Sequence, residues 1–78
     1  MKFTQYFLHM RNRQDRKDIP LEWIEFVFNN PDYEEIQADG RIRRWAKIKE
    51  NNKYLRIIIL EDYQTIHNAF FDRSFKKQ

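Results

Sequence analysis

The chain of 78 residues has no cysteine, a single glycine and only two prolines. The lack of cysteine excludes a disulfide framework and any thiolate metal site. The single glycine, in the pair Asp39-Gly40, excludes a glycine-rich loop that binds nucleotide phosphates. The two histidines, His9 and His67, have no carboxylates at the spacing of a metal site. The sequence therefore predicts no metal and no other cofactor.

Long apolar runs are missing as well. The longest, from Ile57 to Leu60, is far shorter than the roughly 20 residues that a membrane-spanning helix needs. The N-terminal stretch has no apolar segment of the kind found in signal peptides. We therefore expect a cytoplasmic protein without a membrane partner, and a single domain over residues 1–78.

Charge is distributed unevenly along the chain. Residues 1–40 contain five Lys and Arg against eight Asp and Glu, whereas residues 41–78 contain ten against four. The net charge of +3 therefore combines an acidic N-terminal half with a basic C-terminal half. A basic half is typical of proteins that bind a polyanion or an acidic partner, although an ordinary solvated surface can have the same composition.

The N-terminal half shows the periodicity of helices. The spacing i, i+3, i+4, i+7, which marks one helical face, is shared by Phe3, Tyr6, Phe7 and Met10. This spacing predicts a helix over residues 4–14 with Thr4 as its N-cap. A second helix is predicted to begin at Pro20, with Asp18 just ahead of it, and to end at Asn30-Pro31.

After Pro31 the apolar period changes from 3.6 to 2. Strands are predicted over residues 33–37, 41–50, 53–61 and 64–72, and residues 75–78 form a tail. The turns between the strands are predicted at Asp39-Gly40, Asn51-Asn52 and Asp62-Tyr63. The predicted fold is α+β, with two N-terminal helices packed on one face of a three- to four-stranded antiparallel sheet, in the order ααββββ.

Two-residue turns at Asn51-Asn52 and Asp62-Tyr63 fix a register that gives the sheet two unlike faces. The face toward the helices is apolar. On the open face, Lys47 lies opposite Arg56, a like-charge pair that destabilises a sheet and is therefore expected at a functional surface. The same face is predicted to carry Arg43, Trp45, Lys49, Tyr54, Ile58, His67, Ala69 and Phe71.

Cations interleaved with aromatic rings are typical of surfaces that bind single-stranded nucleic acid. The candidate RNA-binding residues are Arg43, Trp45, Lys47, Lys49 and Arg73. RNA can be cut at its 2′-hydroxyl by an acid, a base and phosphate-binding cations without a metal. The candidate catalytic residues are His67 as acid or base, Arg56 as a phosphate ligand and Tyr54 as a proton donor. Glu35 is expected to pair with Arg44 across the first hairpin.

Five segments resemble a family of small bacterial domains. They are Glu22-Trp23-Ile24, Asn30-Pro31, Asp39-Gly40-Arg41-Ile42-Arg43, Tyr54-Leu55-Arg56-Ile57-Ile58 and the stretch over residues 65–73. This family distantly resembles the RelE- and BrnT-like toxins of type II toxin–antitoxin systems. Those toxins are compact helix-plus-sheet proteins that cleave mRNA without a metal and are silenced by a cognate antitoxin. The resemblance implies a metal-independent endoribonuclease with an acidic antitoxin as its partner.

Two other functions fit the same surface. The first is a non-catalytic module that binds RNA or the ribosome, which predicts salt-dependent binding and intact RNA. The second is a protein-interaction domain that forms a homodimer through exposed apolar residues of the open face, chiefly Trp45 and Ile58.

Overall fold

The order of helices and strands confirms the α+β class but adds a strand that the sequence did not predict. The computed structural model describes residues 1–12 and 19–76. Its elements, in chain order, are β1 (Lys2–Phe3), α1 (Gln5–Met10), α2 (Leu21–Asn29), β2 (Tyr33–Ile36), β3 (Ile42–Ile48), β4 (Lys53–Ile59) and β5 (Thr65–Phe71).

The five strands form one mixed sheet in the order β1-β5-β4-β3-β2. Strands β2 to β5 are an antiparallel meander, as predicted, whereas β1 runs parallel to β5 at the edge of the sheet. The expectation of three to four antiparallel strands in the order ααββββ is therefore wrong in strand number and in the orientation of β1. Because two residues are too few to show an alternating pattern, the sequence did not predict β1.

Both helices begin where their capping residues lie. The Oγ1 atom of Thr4 accepts a hydrogen bond from the Phe7 amide at 3.0 Å, so Thr4 is the N-cap of α1, as predicted. Helix α1 ends at Met10, four residues earlier than predicted, and the predicted end lies outside the described residues. Pro20 is the N-cap of α2 rather than its first helical residue, and Asp18 lies outside the described part of the chain.

The helices cover one face of the sheet and form the core with it. Ile24 and Val27 of α2 are fully buried, and Phe7 of α1 is nearly so. The strands contribute the large buried side chains of Ile42, Leu55, Ile57, Ile59 and Ile66. Burial of these apolar groups is the main force that holds the helices to the sheet.

The β3–β4 hairpin has a longer loop than predicted. Ile48 pairs with Lys53, so residues 49–52 form the loop, and every pair along the hairpin differs by two residues from the predicted one. A shift of two residues leaves each side chain on its predicted face. It also changes the pairs, because Lys47 lies opposite Tyr54 and Arg56 lies opposite Trp45. The predicted like-charge pair of Lys47 and Arg56 is therefore wrong.

The β4–β5 hairpin contains a β-bulge. Ile59 pairs with Ile66 as predicted, but Ile58 pairs with Asn68, so His67 is an extra residue in β5. A bulge shifts the register by one from that point, which reverses the faces of the residues that follow. Accordingly, Ala69 and Phe71 pack toward the core instead of lying on the open face.

The turn between β4 and β5 contains an unfavourable backbone conformation. Tyr63 has a φ of +60°, a left-handed conformation that costs a residue with a Cβ atom roughly 1 kcal/mol relative to glycine. Its neighbour Asp62 accepts hydrogen bonds from Thr65 and Gln64, which lower the pKa of the Asp62 carboxyl to about 2. The side-chain cap thus holds Tyr63 in its strained conformation.

Replacing Tyr63 with glycine should relieve this strain. We expect Tyr63→Gly to raise the free energy of unfolding by about 0.5–1 kcal/mol, measured by urea denaturation. Tyr63→Ala is the matched control, because it removes the ring but keeps the Cβ atom, and it should give no such gain. Equal stability of the glycine and alanine variants would contradict this explanation.

Candidate nucleic-acid interface

The open face of the sheet presents two rows of side chains across its strands. In the first row, Arg43 lies opposite Ile58, which lies opposite Asn68. The second row contains Tyr33, Trp45, Arg56 and Phe70. The faces predicted for β3 and β4 are therefore confirmed, whereas β5 contributes Asn68 and Phe70 in place of the predicted Ala69 and Phe71.

Arginines on this sheet are paired with carboxylates of the same chain. Arg43 contacts Glu35 at 3.3 Å and Arg44 contacts Glu34 at 2.9 Å. The predicted pair of Glu35 and Arg44 is therefore wrong by one residue, because β2 aligns Glu34 with Arg44 and Glu35 with Arg43. A guanidinium already bound to a carboxylate is a poorer phosphate ligand than a free one.

Trp45 is covered by the C-terminal segment of its own chain. The Phe75 ring stacks on the Trp45 ring with centroids 4.8 Å apart and an interplanar angle of 19°. Tyr33 packs against both rings. Only 4% of Trp45 and 6% of Ile58 are exposed. The residues after β5 therefore occupy the place where the sequence predicted a stacked base.

Asp72 fixes this segment to the sheet. Its Oδ2 atom accepts hydrogen bonds from Trp45 Nε1 at 3.0 Å and from Arg56 at 3.3 Å. Its Oδ1 atom accepts hydrogen bonds from the amide and hydroxyl of Ser74. Burial raises the pKa of Asp72, but the bonds from Trp45, Ser74 and Arg56 outweigh burial and leave the pKa below its usual value. The carboxylate is therefore ionised and all four of its acceptor positions are occupied.

Arg56, predicted as a catalytic phosphate ligand, has a structural environment. Besides its ion pair with Asp72, its guanidinium lies 4.7 Å from the Phe70 ring centroid and 5.8 Å from that of Trp45. Its Nε atom is buried and has no hydrogen-bond partner within residues 1–12 and 19–76. The group is held between rings and a carboxylate, which leaves little of it to meet a ligand.

A shallow depression of about 470 Å³ remains above this part of the face. Its charged lining residues are Arg43, Arg56 and Lys76 together with Glu35 and Asp72. The two carboxylates cancel most of the positive charge, so this depression is not the most favourable place for a phosphate.

His67, the predicted acid or base, lies at the bulge and contacts the segment that joins β1 to α1. Its Nδ1 atom is 3.2 Å from Thr4 Oγ1, and its ring stacks on Tyr6 with centroids 4.7 Å apart. Thr4 Oγ1 already accepts the Phe7 amide, so its hydroxyl can donate to Nδ1 of a neutral imidazole. Burial, with a smaller contribution from the charge of Arg41, lowers the pKa of His67 below 6.5.

The three predicted catalytic residues do not share a site. Asn68, next to His67, pairs with Ile58, and Tyr54 lies four residues before Ile58 on β4. At 3.3 Å per residue this places Tyr54 about 13 Å away along the strand. Tyr54 contacts the Phe75 ring instead, with centroids 4.9 Å apart. A single scissile phosphate therefore cannot contact His67 and Tyr54 together in this arrangement.

Lysines differ from arginines in this structure. Within the described residues, none of the ion pairs involves a lysine. Five exposed cations without an ion pair in the described residues lie around the β3–β4 loop and the segment after β5. Three of them are predicted residues and two were missed by sequence analysis: Lys47, Lys49, Lys53, Arg73 and Lys76. We call these five residues the hairpin-end surface. Sequence alternation could not have identified Lys53 and Lys76, because it does not show which charged side chains lack a partner within the chain.

Residues 1–12 and 19–76 contain no group of three His, Asp or Glu side chains that could hold a metal ion. No helix in these ranges is long and apolar enough to cross a membrane.

Comparison with known proteins does not assign the chain to a family. No protein-family model matches it, and no curated protein or solved structure matches it significantly. The resemblance to RelE- and BrnT-like toxins therefore stays a prediction, and the site must be judged on its own geometry.

The contact of His67 with Thr4 should make stability depend on pH. Because the folded protein lowers the pKa of His67, the unfolded chain takes up a proton more readily, and folding weakens as the pH falls below about 6.5. We expect the free energy of unfolding to decrease from pH 7.5 to 5.5, and His67→Gln to remove much of this decrease. His9→Gln is the matched control, because it removes an exposed imidazole, and the decrease should persist in this variant. An unchanged slope in His67→Gln would contradict the assignment.

Loss of the Asp72 carboxylate should destabilise the open face. We expect Asp72→Asn to lower the free energy of unfolding by about 2–3 kcal/mol, because it removes the charge that Arg56 and Trp45 share. Glu35→Gln is the control, since its pair with Arg43 is exposed and should contribute less than about 1 kcal/mol. Urea denaturation followed by circular dichroism distinguishes the two variants, and equal losses would show that Asp72 does not anchor the segment.

Proposed function

We propose that this domain binds single-stranded RNA through the hairpin-end surface. The observation that supports this proposal most directly is the contrast between paired arginines and unpaired lysines. The arginines of the sheet already contact carboxylates, whereas the five cations of the hairpin-end surface have no ion-pair partner within the described residues. An RNA backbone can therefore bind these five cations without breaking an ion pair of the described residues.

Unpaired cations favour a polyanion for a simple electrostatic reason. Each phosphate that meets a lysine releases a condensed counterion, which contributes to affinity in proportion to the number of contacts. Glu50 is the carboxylate in the loop over residues 49–52. Lys49 and Lys53 lie on either side of it in the sequence. Lys49, Glu50 and Lys53 together carry a net charge of +1, to which Lys47 and Arg73 add, while Asp32 lies beside Lys47.

Aromatic rings beside these cations favour an unpaired strand over a duplex. Tyr54 and Phe75 are partly exposed next to Lys53 and Arg73. A duplex keeps its bases stacked inside, whereas a single strand can place bases against protein rings. The predicted likeness to RNA-cleaving toxins supports RNA as the nucleic acid, and such RNA includes exposed strands of the ribosome.

The predicted endoribonuclease activity is the second candidate. It receives less support from the geometry, because His67 is bound to Thr4 and lies far from Tyr54, while Arg56 is bound to Asp72. An acidic antitoxin that covers the hairpin-end surface would fit its charge equally well. The homodimer predicted through Trp45 and Ile58 loses its basis in exposed apolar area, since both residues are buried within the chain.

Binding should weaken with salt, and the weakening should depend on particular lysines. We expect the affinity for a fluorescein-labelled single-stranded RNA to fall linearly on a logarithmic salt scale. Lys47→Ala and Lys49→Ala should each reduce the slope by about 0.7, the value for one lost contact with a single strand. The matched control is Arg41→Ala, which removes the same charge at the opposite end of β3, where Arg41 contacts Asp39.

The same experiment separates binding from cleavage. RNA recovered intact after incubation in EDTA supports a binding module, whereas products that disappear in His67→Ala would favour the endoribonuclease. An equal loss of slope in Arg41→Ala and the two lysine variants would show that RNA binding depends on the net charge of the protein and not on the hairpin-end surface.

A further inference from the structure

A groove lies at the point where β5 ends and the covering segment begins. It has a volume of about 370 Å³, within the range of sites for small organic groups. Its lining residues are Asn52, Lys53, Tyr54, Phe71, Asp72, Arg73 and Phe75. Three of these are aromatic and two are cations of the hairpin-end surface, so the groove combines flat apolar walls with a positive rim.

The rings of the groove are arranged at angles to one another. Tyr54 and Phe75 meet at an interplanar angle of 57°, so they do not stack on each other. Phe71 packs edge-on against Trp23 on its inner side, while the Nζ atom of Lys53 lies 5.9 Å from the Phe71 ring centroid. Trp45 stacks on one face of Phe75, but the lining rings do not stack on one another, so partly exposed ring surface borders the groove.

The charges around the groove fit a phosphate on either side of a base. Lys53 and Arg73 lie in the β3–β4 hairpin and in the segment after β5, and both are exposed. Asp72 is the single carboxylate among the lining residues, but Trp45, Arg56 and Ser74 occupy its acceptor positions. The ion pair with Arg56 balances the negative charge of Asp72, so Asp72 does not cancel the charges of Lys53 and Arg73.

We infer that this groove is a nucleobase slot, in which one base of a single-stranded RNA stacks on the Tyr54 ring and contacts the inclined Phe75 ring with its edge. Lys53 and Arg73 contact the phosphates that flank this base, and the Asn52 amide lies at the rim. The inference rests on the proposed RNA binding and extends it, because the slot makes affinity depend on the presence of a base as well as on phosphates.

An oligonucleotide without bases tests the slot. We compare an eight-nucleotide RNA with an abasic oligomer of the same length and charge by fluorescence anisotropy. Stacking of one base is worth about tenfold in affinity, so the wild-type chain should bind the RNA about tenfold more tightly than the abasic oligomer. Tyr54→Leu should remove most of this difference, and Tyr54→Phe should preserve it because the ring remains.

Lys49→Ala is the control for charge. Lys49 belongs to the hairpin-end surface but not to the lining of the groove, so this variant should weaken the RNA and the abasic oligomer by the same factor. Photo-crosslinking of the unmodified chain to an RNA that contains 5-bromouridine provides a second measurement, which does not depend on the folding of a variant. We expect mass spectrometry to locate the crosslink at Tyr54 or Phe75.

The outcomes separate the slot from the proposed function. Equal affinity for the RNA and the abasic oligomer, or crosslinks that avoid the groove, would overturn the slot while RNA binding through the lysines stands. Failure of the chain to bind either oligomer would overturn the proposed function itself, and the slot with it.

Discussion

The extra residue at the β-bulge of β5 determines which side chains reach the open face. Because His67 has no partner position on β4, Asn68 and Phe70 point to the open face, and Asp72 follows them there. If His67 paired regularly with Ile58 instead, Ala69 and Phe71 would occupy these positions and Asp72 would point toward the helices. The contact between Asp72 and Trp45, the cover of Phe75 and the groove beside Tyr54 all depend on this single irregularity.

The same bulge explains where sequence analysis succeeded and where it failed. Alternation of apolar and polar residues assigned β3 and β4 to the correct faces, because a loop longer by two residues does not change the side on which a residue lies. Alternation cannot reveal a bulge, so β5 was correct at Ile66 and reversed at Ala69 and Phe71. The two-residue β1 was missed because it forms through pairing with a distant strand and not through a local pattern.

The candidate site was harder to predict than the fold, since residue type does not disclose the partner within the chain. Trp45 and Arg56 are residue types that are common on nucleic-acid-binding surfaces. Each of them is nevertheless hydrogen-bonded to Asp72, which lies 16 or more positions later in the sequence. Lys47, Lys49 and Arg73, which were predicted to bind RNA, are exposed, and their binding of RNA stays a prediction. A basic, aromatic sheet therefore contains two populations of cations, one that stabilises the fold and one that is free for a ligand, and only the structure separates them.

The hydrogen bond between Thr4 and His67 joins residues 63 positions apart. The meander of β2 to β5 contains contacts between neighbouring strands, which form sooner than contacts between the two ends of a chain. During synthesis β1 and α1 are made first, yet their partner strand β5 emerges late. Phe3 and Phe7 stack on each other in the folded protein. Until β5 has been synthesised, they have no strand of the sheet to pack against. The N-terminal segment thus acquires its docking surface only after β5 has been synthesised.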